Sequence, residues 1–138
     1  MSNLTNKNIL LCVTGGIAAY KAAELVRLLK TSNAFVKVLM TKSAQEFITP
    51  LTMQALSGEK VHTDLLSTEA EAAMGHIELA KWCDLIVIAP CSANSLSKIA
   101  EGRGDDLLSA VCLATESEIF IAPAMNQAMW KDKRTQIK

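Results

Sequence analysis

The chain has 138 residues, 14 Lys+Arg against 14 Asp+Glu, four cysteines, half of its residues hydrophobic and 4% aromatic. That length suits one domain with a real core. Formal neutrality and a pI near 6.7 remove the basic footprint of a nucleic-acid binder, and the apolar content excludes disorder. A mean hydropathy of +0.22 is high for a soluble monomer; either apolar surface is hidden in an oligomer, the favoured reading, or the core is unusually rich in small residues. The opening Met1–Lys7 is polar, and the apolar run Ile9–Val13 is too short for a membrane span or signal core. Cys12, Cys83, Cys91 and Cys112 form no CxxC pair and no metal spacing with His62 or His76; three of them lie in or beside apolar runs and read as small buried hydrophobes, in a reducing cytoplasm.

Asn8–Val13 reads as a strand buried on both faces and ending at Gly15-Gly16. Ile17 to Lys30 changes to a helical period, with Ala18, Ala22, Leu25 and Leu29 on one face. Phe35–Met40 is a second strand. A helical stretch covers Ser43 to Ser57, restarts at Pro50 and stops at Gly58. His62 to Ala73 reads as a loop in which His62 is solvated, and His76–Cys83 as a short helix. Asp84–Ala89 is a third strand. Helices follow over Ser92–Glu101 and Asp105–Thr115, the second with Asp105 as N-cap. Ile119–Ala122 is the last clear strand, and the chain turns helical again from Asn126. This alternation predicts an α/β fold with a doubly wound parallel sheet, Rossmann-like or flavodoxin-like, in a single domain.

In such sheets the ligand crevice lies beyond the carboxyl ends of the strands. The four ends read Thr14-Gly15-Gly16-Ile17, Thr41-Lys42-Ser43, Pro90-Cys91-Ser92-Ala93-Asn94-Ser95 and Pro123-Ala124-Met125-Asn126. Each joins small residues to hydroxyl or amide side chains at a helix start, where backbone amides attract an anion. The pattern suits a phosphorylated ligand held mainly by neutral donors. Gly15-Gly16 is not a dinucleotide G-x-G-x-x-G, and no acid closes the second strand to hold a ribose. A mononucleotide such as FMN fits better than NAD. Ordinary helix capping explains any one of these ends, but not all four together.

His76, read as a first-turn residue, is a general-base candidate, because a helix start keeps an imidazole neutral; filling surface is its plainer role. Asn126 is either a cap or an uncharged donor to a substrate carboxylate. Arg103, Asp105 and Asp106 read as a solvated turn and cap.

Gly15-Gly16-Ile17-Ala18, Gly75-His76-Ile77, Ala89-Pro90-Cys91-Ser92-Ala93-Asn94 and Pro123-Ala124-Met125-Asn126-Gln127-Ala128-Met129-Trp130 resemble the flavin-dependent cysteine decarboxylases. Ile99–Ser109 is similar to the phosphopantothenoylcysteine decarboxylase branch, and the likeness runs from about Ile9 to Trp130. The resemblance implies FMN lined by Gly15, Gly16, Ile17, Thr41, Ser43, Ser92, Ala93, Asn94, Ser95 and Ala124. It implies a catalytic His76 and an Asn126 that binds the substrate carboxylate; no metal is expected from the Cys and His spacing. It also implies decarboxylation of 4'-phosphopantothenoylcysteine to 4'-phosphopantetheine in coenzyme A synthesis, through a thioaldehyde and an enethiol.

A homotrimer or higher assembly with a site shared between subunits is implied as well. Residues 1–138 would form the FMN-binding decarboxylase domain, without the family's C-terminal flap and its reducing cysteine. In the bifunctional relative a phosphopantothenate-cysteine ligase domain also follows. Two readings stay open beside this one: a lantibiotic-type peptidyl-cysteine decarboxylase and a non-catalytic regulatory FMN-binding flavoprotein.

Overall fold

The computed structural model describes residues 4–63 and 69–123. Four strands, β1 (Asn8–Val13), β2 (Phe35–Met40), β3 (Leu85–Cys91) and β4 (Glu118–Pro123), form one parallel sheet in the order β2-β1-β3-β4. The helices between them are α1 (Lys21–Thr31), α2 (Pro50–Ser57), α3 (Glu69–Trp82), α4 (Ala93–Ala100) and α5 (Leu107–Ala114), with short 3-10 turns over Ile17–Tyr20 and Ser43–Glu46. Strand order reverses between β1 and β3, which makes their carboxyl ends the switch point of the sheet.

After Asn8, β1 is apolar throughout because both its faces are covered. Ile9, Leu11 and Val13 pack with α1, α2 and β2 residues such as Val26, Met53 and Val38; Leu10 and Cys12 pack on the other face with Leu79, Ile88 and Leu108. β4, at the edge of the sheet among the described residues, is far more exposed. Cys12, Cys83 and Cys91 are buried and Cys112 is partly so, in line with their reading as hydrophobes. Burial pushes the Cys12 thiol up, Cys91 to about 11 and Cys112 to about 12.

Several elements differ from the expectation. On α1 the buried face is Ala22, Val26 and Leu29, with Leu25 at its flank. The stretch 43–57 is a 3-10 turn followed by a separate helix: Thr49 caps α2 by accepting from the Thr52 N–H, Pro50 opens it, and Gly58 ends it at φ 76°. The expected loop from His62 is helical from Glu69 onward, so α3 runs 14 residues and His76 lies in its second half. The helix-start argument for a neutral His76 therefore does not apply. His62 is not solvated either; it is half-buried, and its backbone pairs with β2 through Leu39.

The cap of α5 is Asp106 rather than Asp105. The Asp106 carboxylate accepts from the Ser109 N–H at 2.8 Å, and the Asp106 N–H donates back to Ser109 Oγ at 3.2 Å. This reciprocal box fits only at 106, whose third follower carries a hydroxyl; the third follower of Asp105 is Leu108. The expected helix from Asn126 lies outside the described residues.

Candidate functional site

Thr14 fastens the two strand ends at the switch point. Its hydroxyl donates to the Pro90 carbonyl at 2.6 Å and accepts from the Ser92 N–H at 2.8 Å, while its own N–H reaches Pro90 O at 3.3 Å. The side chain is fully buried, so these bonds are shielded from water. The next residue brings in the loop after β2. A Cβ on Gly15 would stand 2.6 Å from Ser43 Cβ, so only glycine lets these loops meet. Gly16 faces open space instead: a Cβ there would meet nothing within 4 Å, and its φ of 156° is rare for other residues.

The other loops are tied locally. Thr41 N–H donates to Val13 O at 3.0 Å, and Thr41 Oγ1 accepts from the Ala44 N–H at 3.3 Å. Ser92 Oγ caps α4 by accepting from the Ser95 N–H at 3.2 Å. Thr41 and Ser92 are thus partly committed to capping, whereas Ser43 and Asn94 are exposed and available to a ligand.

These loops enclose a cleft of about 540 Å³, within the size range of small-molecule sites. Seven of the ten expected flavin residues line it: Gly15, Gly16, Thr41, Ser43, Ser92, Asn94 and Ser95. Ile17 stands outside that lining and is 81% exposed, and Ala93 is not part of the lining either. Ala124 and Asn126 lie outside the described residues. His76 is half-buried on α3 and does not line this cleft; its neighbour Gly75 borders a smaller recess of about 150 Å³ with His62 and Leu107.

The lining also contains Lys42, from the strand end Thr41-Lys42-Ser43, and four residues that the strand-end rule missed: Glu46, Phe47, Lys98 and Asp106. Lys98 was legible, because spacings of four from Asn94 and three from Ser95 put it on their helix face. Its Nζ lies 3.5 Å from Asp106 Oδ2 and 3.8 Å from Asp105 Oδ2. Partial burial works to raise the Asp106 pKa, but hydrogen bonds from Ser109 and the Lys98 charge outweigh it and hold the carboxyl below its usual range.

A second recess, of about 300 Å³ and mostly apolar, lies between Ala18, Lys21, Ala22 and Leu25 and the strand ends Ala89-Pro90 and Ala122-Pro123. The described residues hold no cluster of His, Cys, Asp and Glu suited to a metal. No helix among them is long and apolar enough to cross a membrane.

The Flavoprotein family's sequence profile matches residues 1–137. The chain belongs to this family. It is 55% identical over 136 residues to the coenzyme A biosynthesis bifunctional protein CoaBC of Vibrio vulnificus, covering 99% of this chain and 34% of that protein. The Bacillus subtilis protein of the same name is 48% identical over 127 residues, covering 92% of this chain and 31% of that protein. The chain thus spans about a third of the length of these curated relatives.

Among solved structures, the FMN-dependent cysteine decarboxylase SpaF superposes with a TM-score of 0.87 at 32% identity, covering 97% of this chain and 77% of SpaF. A PPC decarboxylase mutant complexed with pantothenoylaminoethenethiol gives a TM-score of 0.77 at 33% identity, covering 96% and 74%. The parallel sheet with helices on both faces is the α/β, flavodoxin-like architecture that the alternating pattern predicts.

Proposed function

We propose that this chain is the FMN-dependent decarboxylating part of a coenzyme A biosynthesis protein, converting 4'-phosphopantothenoylcysteine to 4'-phosphopantetheine. The observation that carries the reading is the meeting of Gly15, Gly16, Ser43, Ser92 and Asn94 around one cleft at the switch point. The likeness to CoaBC proteins at 55% identity supports this substrate. The donor set suits FMN: the backbone at Gly16 is open, exposed Ser43 and Asn94 offer hydrogen bonds, and α4 starts at the cleft, where first-turn amides lack partners within their own helix.

FMN bound there would supply a two-electron acceptor for the carbon bearing the substrate thiol, so that the pair left by departing carbon dioxide has somewhere to go, and would return those electrons at the end. The net change is redox-neutral: carbon dioxide leaves and the carbon that carried it gains a proton. The chain's residues bind, orient and move protons. Gly15, Gly16, Thr41 and Ser43 would hold the phosphate end from the β1 and β2 loops, and Ser92, Asn94 and Ser95 would contact it from the start of α4. His76 moves the proton at the substrate thiol. Asn126, outside the described residues, orients the carboxylate as a neutral donor, which holds the anion without burying a second charge.

His76 stands apart from the cleft within one chain, which favours a site completed by a neighbouring copy in a homotrimer or higher assembly. Exposed Ile17, Tyr20 and Phe120 supply apolar surface for that contact. A cytoplasmic setting and a ligase domain elsewhere in the full-length protein belong to the same proposal.

The test is carbon dioxide release from 4'-phosphopantothenoylcysteine by the FMN-loaded protein, lost in His76→Asn with the flavin still bound. FMN binding without any release would favour a regulatory flavoprotein. Release only from cysteine-ended peptides would favour a peptidyl-cysteine decarboxylase.

A further inference from the structure

We propose that Lys98 prepares the cleft for an anionic ligand by cancelling the carboxylates of Asp105 and Asp106, without gripping the ligand itself; the inference rests on the FMN reading above. The cleft lining holds Lys42 and Lys98 against Glu46 and Asp106, so it carries no net formal charge. A phosphate monoester brings a charge of about −1.5 to −2 at neutral pH. An acid in such a lining is a liability, yet Asp106 is built in: its Oδ1 accepts from both the N–H and the hydroxyl of Ser109 and closes the first turn of α5.

Lys98 answers that charge from one turn along α4. Its side chain is only 21% exposed, Asp106 is 19% exposed, and the ammonium sits between Asp106 and Asp105 at 3.5 and 3.8 Å. Arg103 takes a second position on Asp105 at 3.2 Å. Lys98 is therefore already engaged by two carboxylates, whereas Lys42 is exposed at the mouth. Without Lys98 the lining turns net negative, and its field opposes the phosphate.

The experiment is FMN titration of the flavin-free protein, read by quenching of flavin fluorescence, with circular dichroism as a check on folding. It is run at about 0.01 M and about 1 M salt, where the Debye length falls from about 30 Å to about 3 Å. Lys98→Met should weaken binding about tenfold at low salt, and most of that loss should vanish at high salt. Adding Asp105→Asn and Asp106→Asn to Lys98→Met should restore the affinity, since asparagine still caps α5.

The two Asp→Asn changes with Lys98 retained should tighten binding, and this variant decides the matter should Lys98→Met fail to fold. Three results would each overturn the proposal: unchanged low-salt affinity in Lys98→Met, a triple variant as weak as Lys98→Met (direct contact between Lys98 and the ligand), or the Asp→Asn pair failing to tighten binding. A wild-type protein that binds no FMN at all would instead remove the flavin reading itself, and this inference with it.

Discussion

Replacing Thr14 by valine keeps the shape of the side chain and removes its hydroxyl, so no cavity accompanies the loss of two hydrogen bonds at the switch point. The Pro90 carbonyl retains the Thr14 N–H at 3.3 Å, but the Ser92 N–H loses the acceptor it held at 2.8 Å. A part-buried donor left without its partner costs up to about 1–3 kcal/mol, and the lost bond to Pro90 adds about 1 kcal/mol, for a total of roughly 2–4 kcal/mol. With an unfolding entropy of about 2.1 cal/mol/K per residue, this chain should melt about 7–14 °C lower. FMN affinity should fall as well, because Thr14 holds the loop that carries Ser92 against the glycine loop. Thr14→Ser keeps the hydroxyl and should recover most of both losses. The assay is thermal unfolding of the flavin-free protein together with an FMN titration. A melting shift below about 2 °C with unchanged affinity would refute the view that Thr14 ties the site together.

Three further outcomes follow from the geometry. Gly15→Ala forces a Cβ to within 2.6 Å of Ser43 Cβ and should cost about 1–3 kcal/mol while spreading the loops after β1 and β2, seen as a lower melting temperature and weaker FMN binding. The Asp106 pKa is lower in the folded state, so its contribution is present above the ordinary value of 3.8 and disappears as acid titrates it below that; Asp106→Asn should flatten the acid limb of a stability-against-pH curve, and Asp106→Ala should cost about 1 kcal/mol at neutral pH. His62 is pushed down by burial and then by Lys37 and Lys60, against smaller opposing effects of Glu59 and Glu78. Protonation below pH 6.5 therefore favours the unfolded chain, stability should drop as pH falls through that value, and His62→Gln should lessen the drop in urea unfolding at pH 5 to 7.

Much of this architecture was legible because long apolar runs leave few choices. Asn8–Val13 has no polar face, so it can only be a strand covered on both sides, and the strand-end rule then leads to Gly15, Ser43 and Asn94. Residues that act across the fold were harder to see. Thr14 is one hydroxyl in a loop, and nothing local says that its partners stand 76 and 78 positions away. Asp106 was mistaken for a bystander because two acids stand side by side, although Ser109 three places on distinguishes them. The start of α3 is missed when the polar stretch 62–73 is read as a loop; Glu and Ala at 69–73 are good helix formers, and the glycine at 75 inside such a run costs only about 1 kcal/mol. His76 thereby loses its place at a helix start, and the role proposed for it rests on the family likeness and the assembly proposed above.

The central claim is that small, mostly uncharged loops at the switch point bind FMN, and stoichiometric titration tests it most directly. Flavin-free protein should quench FMN fluorescence to saturation at one flavin per chain, and riboflavin, which lacks the phosphate, should bind far more weakly. Equal binding of the two flavins, or no saturable quenching by FMN, would contradict the account.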